Sequence, residues 1–250
     1  MNIQELHYSL DLKIDKVDSL DVDSFNDVEK DWLLNYTIDV FVKQRYSLTN
    51  NKQYGFEASQ KRIDDLRTLH KKEYEIITTL FKPDLYEAKL DQITNPLTSQ
   101  ITDDYWFSTR LRADIKKGDC IKNVGITQVQ TDDLNNALKY KFYAPNFNWG
   151  KVLGTFNLSS DASDSSIFLY TKDFEVVTLY IDYIKRPNKV WIGTYDTLDG
   201  SLSTGVDAPV DCDLPDSTHE EITTLASSLA LGIISDPNYV QLKQQYMEGE

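Results

Sequence analysis

The chain has 250 residues, with 26 Lys and Arg against 40 Asp and Glu, for a formal charge of −14. That balance argues against a protein that grips nucleic acid through clustered cations. A 40% hydrophobic content with only 10 Gly and 7 Pro excludes collagen-like and mainly disordered chains.

No apolar run approaches the roughly 18 residues of a membrane-spanning helix. The opening MNIQELHYSLDLK lacks the basic end and apolar centre of a signal peptide, so no membrane association is expected. The two cysteines, Cys120 and Cys212, form no disulfide framework and read as free thiols. Tyrosine is abundant, at 15 residues, which suits either subunit interfaces or a tyrosine-rich β core.

In chain order, Ile3, Leu6, Leu10 and Ile14 recur at spacings of three and four and predict a short amphipathic helix over 2–17. A second helix is expected from about Asp27 to Tyr46, capped by Asn26 or Asp27, with acids in its first turn. Its apolar residues cover most of the circumference, which predicts burial between several elements or between subunits. Residues 48–54 read as a loop. A third helix follows from about Phe56 to Leu69, with Ile63, Leu66 and Leu69 on one face and an i,i+4 pair of Glu57 and Lys61. Pro83 and Pro96 bracket a region with no clear period.

From Tyr105 the period becomes two, as in a strand. Further strands are expected at 121–130, 139–143, 152–156, 167–171 and 175–184, with one more over 189–193. The strand at 175–184 carries β-branched and aromatic residues on both faces and should be central. Residues 159–166, SSDASDSS, are an exposed turn or loop. The C-terminus returns to helix, opened by a capping box of Ser217 and Glu220 and lined by Ile222, Leu225, Ala226, Leu229, Ala230 and Ile233. Asp236-Pro237 starts a last helix carrying Tyr239, Leu242 and Tyr246.

The pattern implies an α+β fold: N- and C-terminal helices forming a helical body, with a mainly antiparallel β domain in the middle. The corresponding divisions are 1–100, 101–193 and 194–250.

Charge is unevenly placed. From Val190 to Leu242 the chain has no Lys or Arg and a net charge of −9, whereas residues 1–189 carry 25 basic and 29 acidic residues. Such a stretch is a solvated face, a surface that repels an anionic polymer, or one that meets a basic partner. A basic cluster of Arg110, Arg112, Lys116, Lys117 and Lys122 is expected to pair with the acidic C-terminal third, within one chain or between neighbouring copies.

Nothing specifies catalysis. His7, His70 and His219 lie far apart with no metal-ligand spacing, and no nucleophile elbow or phosphate-binding glycine loop occurs. The acid-rich DSLDVDSFNDVE at 18–29 lacks the glycine of a calcium loop. No metal, cofactor or enzymatic activity is expected.

The run GFEASQKRIDDLR at 55–67, following FVKQRY at 41–46, resembles a virion structural protein of crAss-like and related Bacteroides-infecting tailed phages. The opening MNIQEL, YIKRP at 183–187 with Lys189-Val190, LDG at 198–200, HEEI at 219–222 and SDPNY at 235–239 are similar too. The resemblance implies a head-to-tail connector ring stacked below the portal, in a virion, with no catalytic residues. It further implies a homo-oligomer following the portal's twelvefold symmetry, neighbouring ring or tail proteins, and DNA passing without specific binding.

On that resemblance, candidate subunit-interface residues are Trp32, Tyr36, Phe41, Arg45, Tyr46, Phe56, Arg62, Asp64, Asp65 and Arg67. Candidates for docking on the portal are Tyr239, Leu242 and Tyr246. Asp196, Asp199, Asp207, Asp211 and Asp213 are candidate channel-facing acids. The alternative is a carbohydrate-binding or glycan-cleaving tail component using Trp106, Tyr143, Trp149 and Tyr170 to stack on sugar rings.

Overall fold

The computed structural model describes residues 1–15, 25–46, 56–102, 104–157, 165–193 and 208–233. The elements in chain order are α1 (Ile3–Asp15), α2 (Asp27–Tyr46), α3 (Phe56–Asp65), β1 (His70–Ile77), β2 (Thr79–Lys82), β3 (Leu85–Lys89), β4 (Tyr105–Lys117) and β5 (Cys120–Gln128). They continue with α4 (Leu134–Lys139), β6 (Val152–Asn157), β7 (Ser166–Tyr170), β8 (Glu175–Lys185) and α5 (Asp216–Ile233). The chain divides into two compact units: Met1–Leu69 with Pro187–Glu250, and His70–Arg186.

In the first unit, α5 packs against both α1 and α2. Helix α1 buries Ile3, Leu6, Leu10 and Ile14, the residues its spacing singled out. Reciprocal capping boxes open α1 and α2 and satisfy backbone N–H groups that have no partner within the helix. Asn2 Oδ1 accepts from the Glu5 N–H at 2.8 Å while Glu5 accepts from the Asn2 N–H at 3.0 Å. Asn26 and Glu29 repeat the arrangement at 2.9 Å in both directions.

The capping box expected at Ser217 does not form. Helix α5 begins one residue earlier, at Asp216, and Glu220 instead accepts from Lys13 of α1 at 2.8 Å. Of the apolar face expected on α5, Ile222, Ala226 and Ala230 are fully buried and Ile233 is exposed. Because α5 contacts helices on two sides, it also buries the small polar Thr223 and Ser227. Helix α3 is shorter than expected; Leu66 and Leu69 are buried beyond its end, while Ile63 is exposed. Lys61 pairs with Glu221 at 2.7 Å.

The second unit is one eight-stranded mixed sheet in the order β1-β8-β4-β5-β6-β7-β3-β2. Its two ends, β1 and β2, are separated in sequence by Thr78 alone, so chain continuity makes the sheet curl. The Thr78 hydroxyl donates to the Val176 carbonyl at 2.8 Å at that corner. One core fills the unit, built from Tyr74, Ile76, Ala113, Ile115, Val152, Leu169, Leu179 and Ile181, among others. Strand β8 lies between β1 and β4, flanked on both sides as its composition predicts.

A helical body with a mainly antiparallel β domain in its middle is therefore the wrong description of the fold. The dominant element is the curled sheet, and it is mixed, because β5 and β6 run parallel. Strands β1 and β2 occupy 70–82, where no element is expected, and β3 lies between Pro83 and Pro96, where no period is clear. Two expected strands also fail: 139–143 is the end of α4 followed by turns, and 189–193 forms only a bridge between Trp191 and Val210. No helix among the described residues is long and apolar enough to cross a membrane.

Candidate functional site

The surface chemistry is set first by helix α2, where polarity is inverted relative to expectation. Its buried arc includes Lys30, Asp31 and Thr37 beside Leu33, Leu34, Ile38, Phe41 and Val42. The large aromatics Trp32 and Tyr36 face outward, 58% and 50% exposed, with their rings stacked at 5.7 Å.

The inversion holds because each buried polar group has a partner. Asp31 joins His7 Nε2 at 2.7 Å and accepts from the Ile192 N–H at 3.0 Å. Lys30 reaches Asp11 at 2.7 Å, and the Thr37 hydroxyl donates to the Leu33 carbonyl at 2.6 Å. The outward stripe that remains runs Glu29, Trp32, Tyr36, Asp39 and Lys43, at spacings of three and four, with Asp39 half-buried and the others exposed.

The other interface candidates divide by burial. Phe41 is fully buried, with the Arg45 guanidinium 4.7 Å above its ring, so it is core within one chain. Arg45 donates to Asp65 at 3.1 Å and also to Glu221. Burial pushes the Asp65 carboxyl above its ordinary value against the pull of Arg45. Asp64 pairs with Arg67 at 3.0 Å on the surface, Arg62 and Tyr46 are half-buried, and burial raises the Tyr46 phenol. The side chain of Phe56 lies outside the description.

The acidic candidates at 196, 199 and 207 and the docking candidates at 239, 242 and 246 lie outside the described residues. Asp211 and Asp213 are described, and both serve the fold. Asp211 accepts from the Ile3 N–H at 2.8 Å; Asp213 accepts from the Asn188 N–H at 3.1 Å.

In the sheet unit the basic cluster finds partners of its own. Arg112 pairs with Glu73 at 2.9 Å, Lys117 pairs with Asp173, and Lys122 lies 4.6 Å over the Phe147 ring. Arg112 and Lys117 thus have acidic partners within the sheet unit itself. Strands β4 and β5 pair from Arg112–Gly125 to Lys117–Cys120, after which β5 leaves to join β6. A cleft of about 500 Å³ opens where they part, lined by Ser108, Arg110, Arg112, Asn123 and Gln128 among others.

A parallel pair needs a long crossover, and the 129–151 connection between β5 and β6 carries a surface feature of which sequence reading picked out only Tyr143 and Trp149. Here Phe142 and Trp149 stack with parallel rings 6.0 Å apart, and Tyr140 meets Tyr143 edge-on at 6.5 Å. All four are exposed, Phe142 by 74%. Its signal is visible in the sequence: residues 134–151 contain no acid, three lysines and five aromatics. Of the aromatics proposed for sugar stacking, Tyr143 and Trp149 lie in this connection, Trp106 stacks on its neighbour Phe107, and Tyr170 lies in β7 opposite Leu153.

Among the described residues no group of three His, Cys, Asp or Glu could hold a metal ion. Burial pushes the Cys212 thiol up to about 11, so it stays protonated at neutral pH.

No curated protein sequence matches the chain significantly. The family model described as phage tail ring protein 3/4, of the crAss type, matches residues 1–242. The chain belongs to the family of phage tail ring proteins 3/4.

Proposed function

We propose that this ring protein forms a homo-oligomeric connector ring stacked below the portal, joining capsid to tail around the genome channel, with no enzymatic role. The observation that carries the reading beyond a ring is the placement of charge. The unit formed by Met1–Leu69 and Pro187–Glu250 holds 24 acidic and 11 basic residues, −13, whereas His70–Arg186 holds 16 and 15, −1. A wall of carboxylates repels DNA phosphates and lets a duplex slide without sticking. In this reading Asp196, Asp199 and Asp207, in the cation-free stretch, face the channel or its mouth. Tyr239, Leu242 and Tyr246 dock on the portal, and twelve copies follow the portal's symmetry.

The test is to image the purified full chain, alone and mixed with portal, and count rotational symmetry. Twelvefold rings that stack on portal support the reading; a chain that stays monomeric and ignores portal overturns it. Deleting 236–250 separates the docking assignment from the rest. The shortened chain should keep its fold and its rings by electron microscopy while losing portal binding, and retained binding would move the dock elsewhere.

A further inference from the structure

We propose that the lateral contact of the ring is heterologous: the aromatic knob between β5 and β6 of one copy seats on the Trp32–Tyr36 stripe of α2 in the next copy. The inference rests on the ring reading and names the two surfaces that would close it.

The knob is built to be rigid. A tight turn closes it, with the Asn146 and Lys151 backbones exchanging two hydrogen bonds of 2.9 Å. The Asn146 side chain accepts from the Asn148 and Trp149 N–H groups at 2.8 and 3.3 Å. Gly150, at φ 59, permits the turn, and Phe147 anchors it from below against Phe174 at 6.1 Å. Lys151 donates to the Phe142 carbonyl at 3.0 Å and lies 4.6 Å from the Tyr143 ring. Such preorganisation lowers the entropy lost on docking, and it holds apolar rings in water within a single chain. Exposed aromatic patches of this kind mark interaction sites.

A second copy is the occupant because the two surfaces complement each other. The knob carries Lys139, Lys141 and Lys151 with no acid between residues 134 and 151. The stripe on α2 places Glu29 and Asp39 around its aromatic pair, with Lys43 one turn beyond, in a unit of net charge −13. Aromatic anchors meeting aromatic anchors inside a charged rim is the composition of a binding hot spot. Two different patches on one chain, each matching the other, generate a ring when the rotation closes.

The experiment compares the wild-type chain with Phe142→Ala/Trp149→Ala and with Trp32→Ala/Tyr36→Ala, by sedimentation and electron microscopy, with urea midpoints as a check on folding. All four positions are at least half exposed, so both variants should keep the wild-type midpoint. Each variant alone should need about tenfold or more higher concentration to form rings. An equimolar mixture should give one-to-one dimers and no rings, because each variant keeps one of the two surfaces. Rings that form in either variant at the wild-type concentration would overturn the inference while leaving the ring reading intact. Mixtures that fail to dimerise would overturn it as well. A wild-type chain that never assembles would overturn the ring reading itself.

Discussion

Arg45 shows at the residue scale how the helical unit manages buried charge. Its guanidinium lies over Phe41, donates to Asp65 and to Glu221, and so ties the end of α2 to the end of α3 and to α5. Asp65 is only 4% exposed, and burial already lifts its carboxyl above the ordinary value of 3.8. A carboxyl raised in the fold keeps its proton over a pH window in which the unfolded chain has lost it. Its contribution to stability is therefore largest at low pH and declines as pH rises through that window. Replacing Arg45 with Met removes the main countercharge, widens the window and leaves Asp65 beside Glu221, with Lys61 the remaining cation that acts on it among the described residues. The variant should lose about 3 kcal/mol at pH 7, and the deficit should shrink as pH is lowered towards 5. Urea titrations at several pH values would check this; a deficit independent of pH would mean that Asp65 has other compensation. The pairing was half legible in sequence. Asp65 stands out in sequence as a charge suited to inter-subunit or inter-helix pairing, but nothing local shows that α5 supplies Arg45 with a second carboxylate from 176 residues away.

At the scale of elements, the junction where β5 leaves β4 for β6 sets the position of the aromatic crossover. Gly154 of β6 sits so close to β5 that an added Cβ would lie 2.7 Å from Ile126 Cγ2. Gly125 in β5 has nothing within 4 Å of the same added atom. Gly154→Ala should therefore destabilise by about 1–3 kcal/mol, since a β-branched neighbour in a packed sheet has little room to retreat. Gly125→Ala should stay within about 0.5 kcal/mol of wild type. Thermal or urea unfolding of the pair would test this, and equal losses would show that the parallel junction is looser than its packing indicates. This junction was invisible in the sequence, because parallel pairing is a long-range fact. The first strands were hidden for a local reason. Strand β1 bulges at Glu73, which takes φ 58, so the alternation breaks between Lys71 and Tyr74. Strand β2 exposes all four of its residues and has no buried face to betray it. By contrast, the bounds of α1 and α2 were readable with little error, α1 from the helical spacing of its core residues and α2 from its cap at Asn26 and the acids of its first turn. The polarity inversion on α2 was not readable, since it depends on His7 and Ile192 arriving from elsewhere to meet Asp31.

At the scale of the whole molecule, nearly all of the net charge belongs to one of the two units, and an oligomeric ring repeats that charge around its axis. Whether those carboxylates keep DNA moving can be tested by reversing charge in the cation-free stretch. Asp211 and Asp213 hold backbone N–H groups and should be left alone. Asp196, Asp199 and Asp207 can be changed together to Lys, shifting each subunit by six charges. Assembled wild-type rings should not retain duplex DNA even at low salt, since like charges repel and no counterions are released. Rings of the triple variant should retain it, with an affinity that falls steeply as salt rises, the slope reporting the number of phosphates neutralised. Gel retardation of rings with linear duplex, across a salt series, reads both quantities. Retention limited to DNA threaded through the ring, and absent with duplex blocked at both ends by bulky groups, would place the acids at the channel. Retention that survives the blocked ends would place them on the outer rim, and the sliding role would then have to be abandoned.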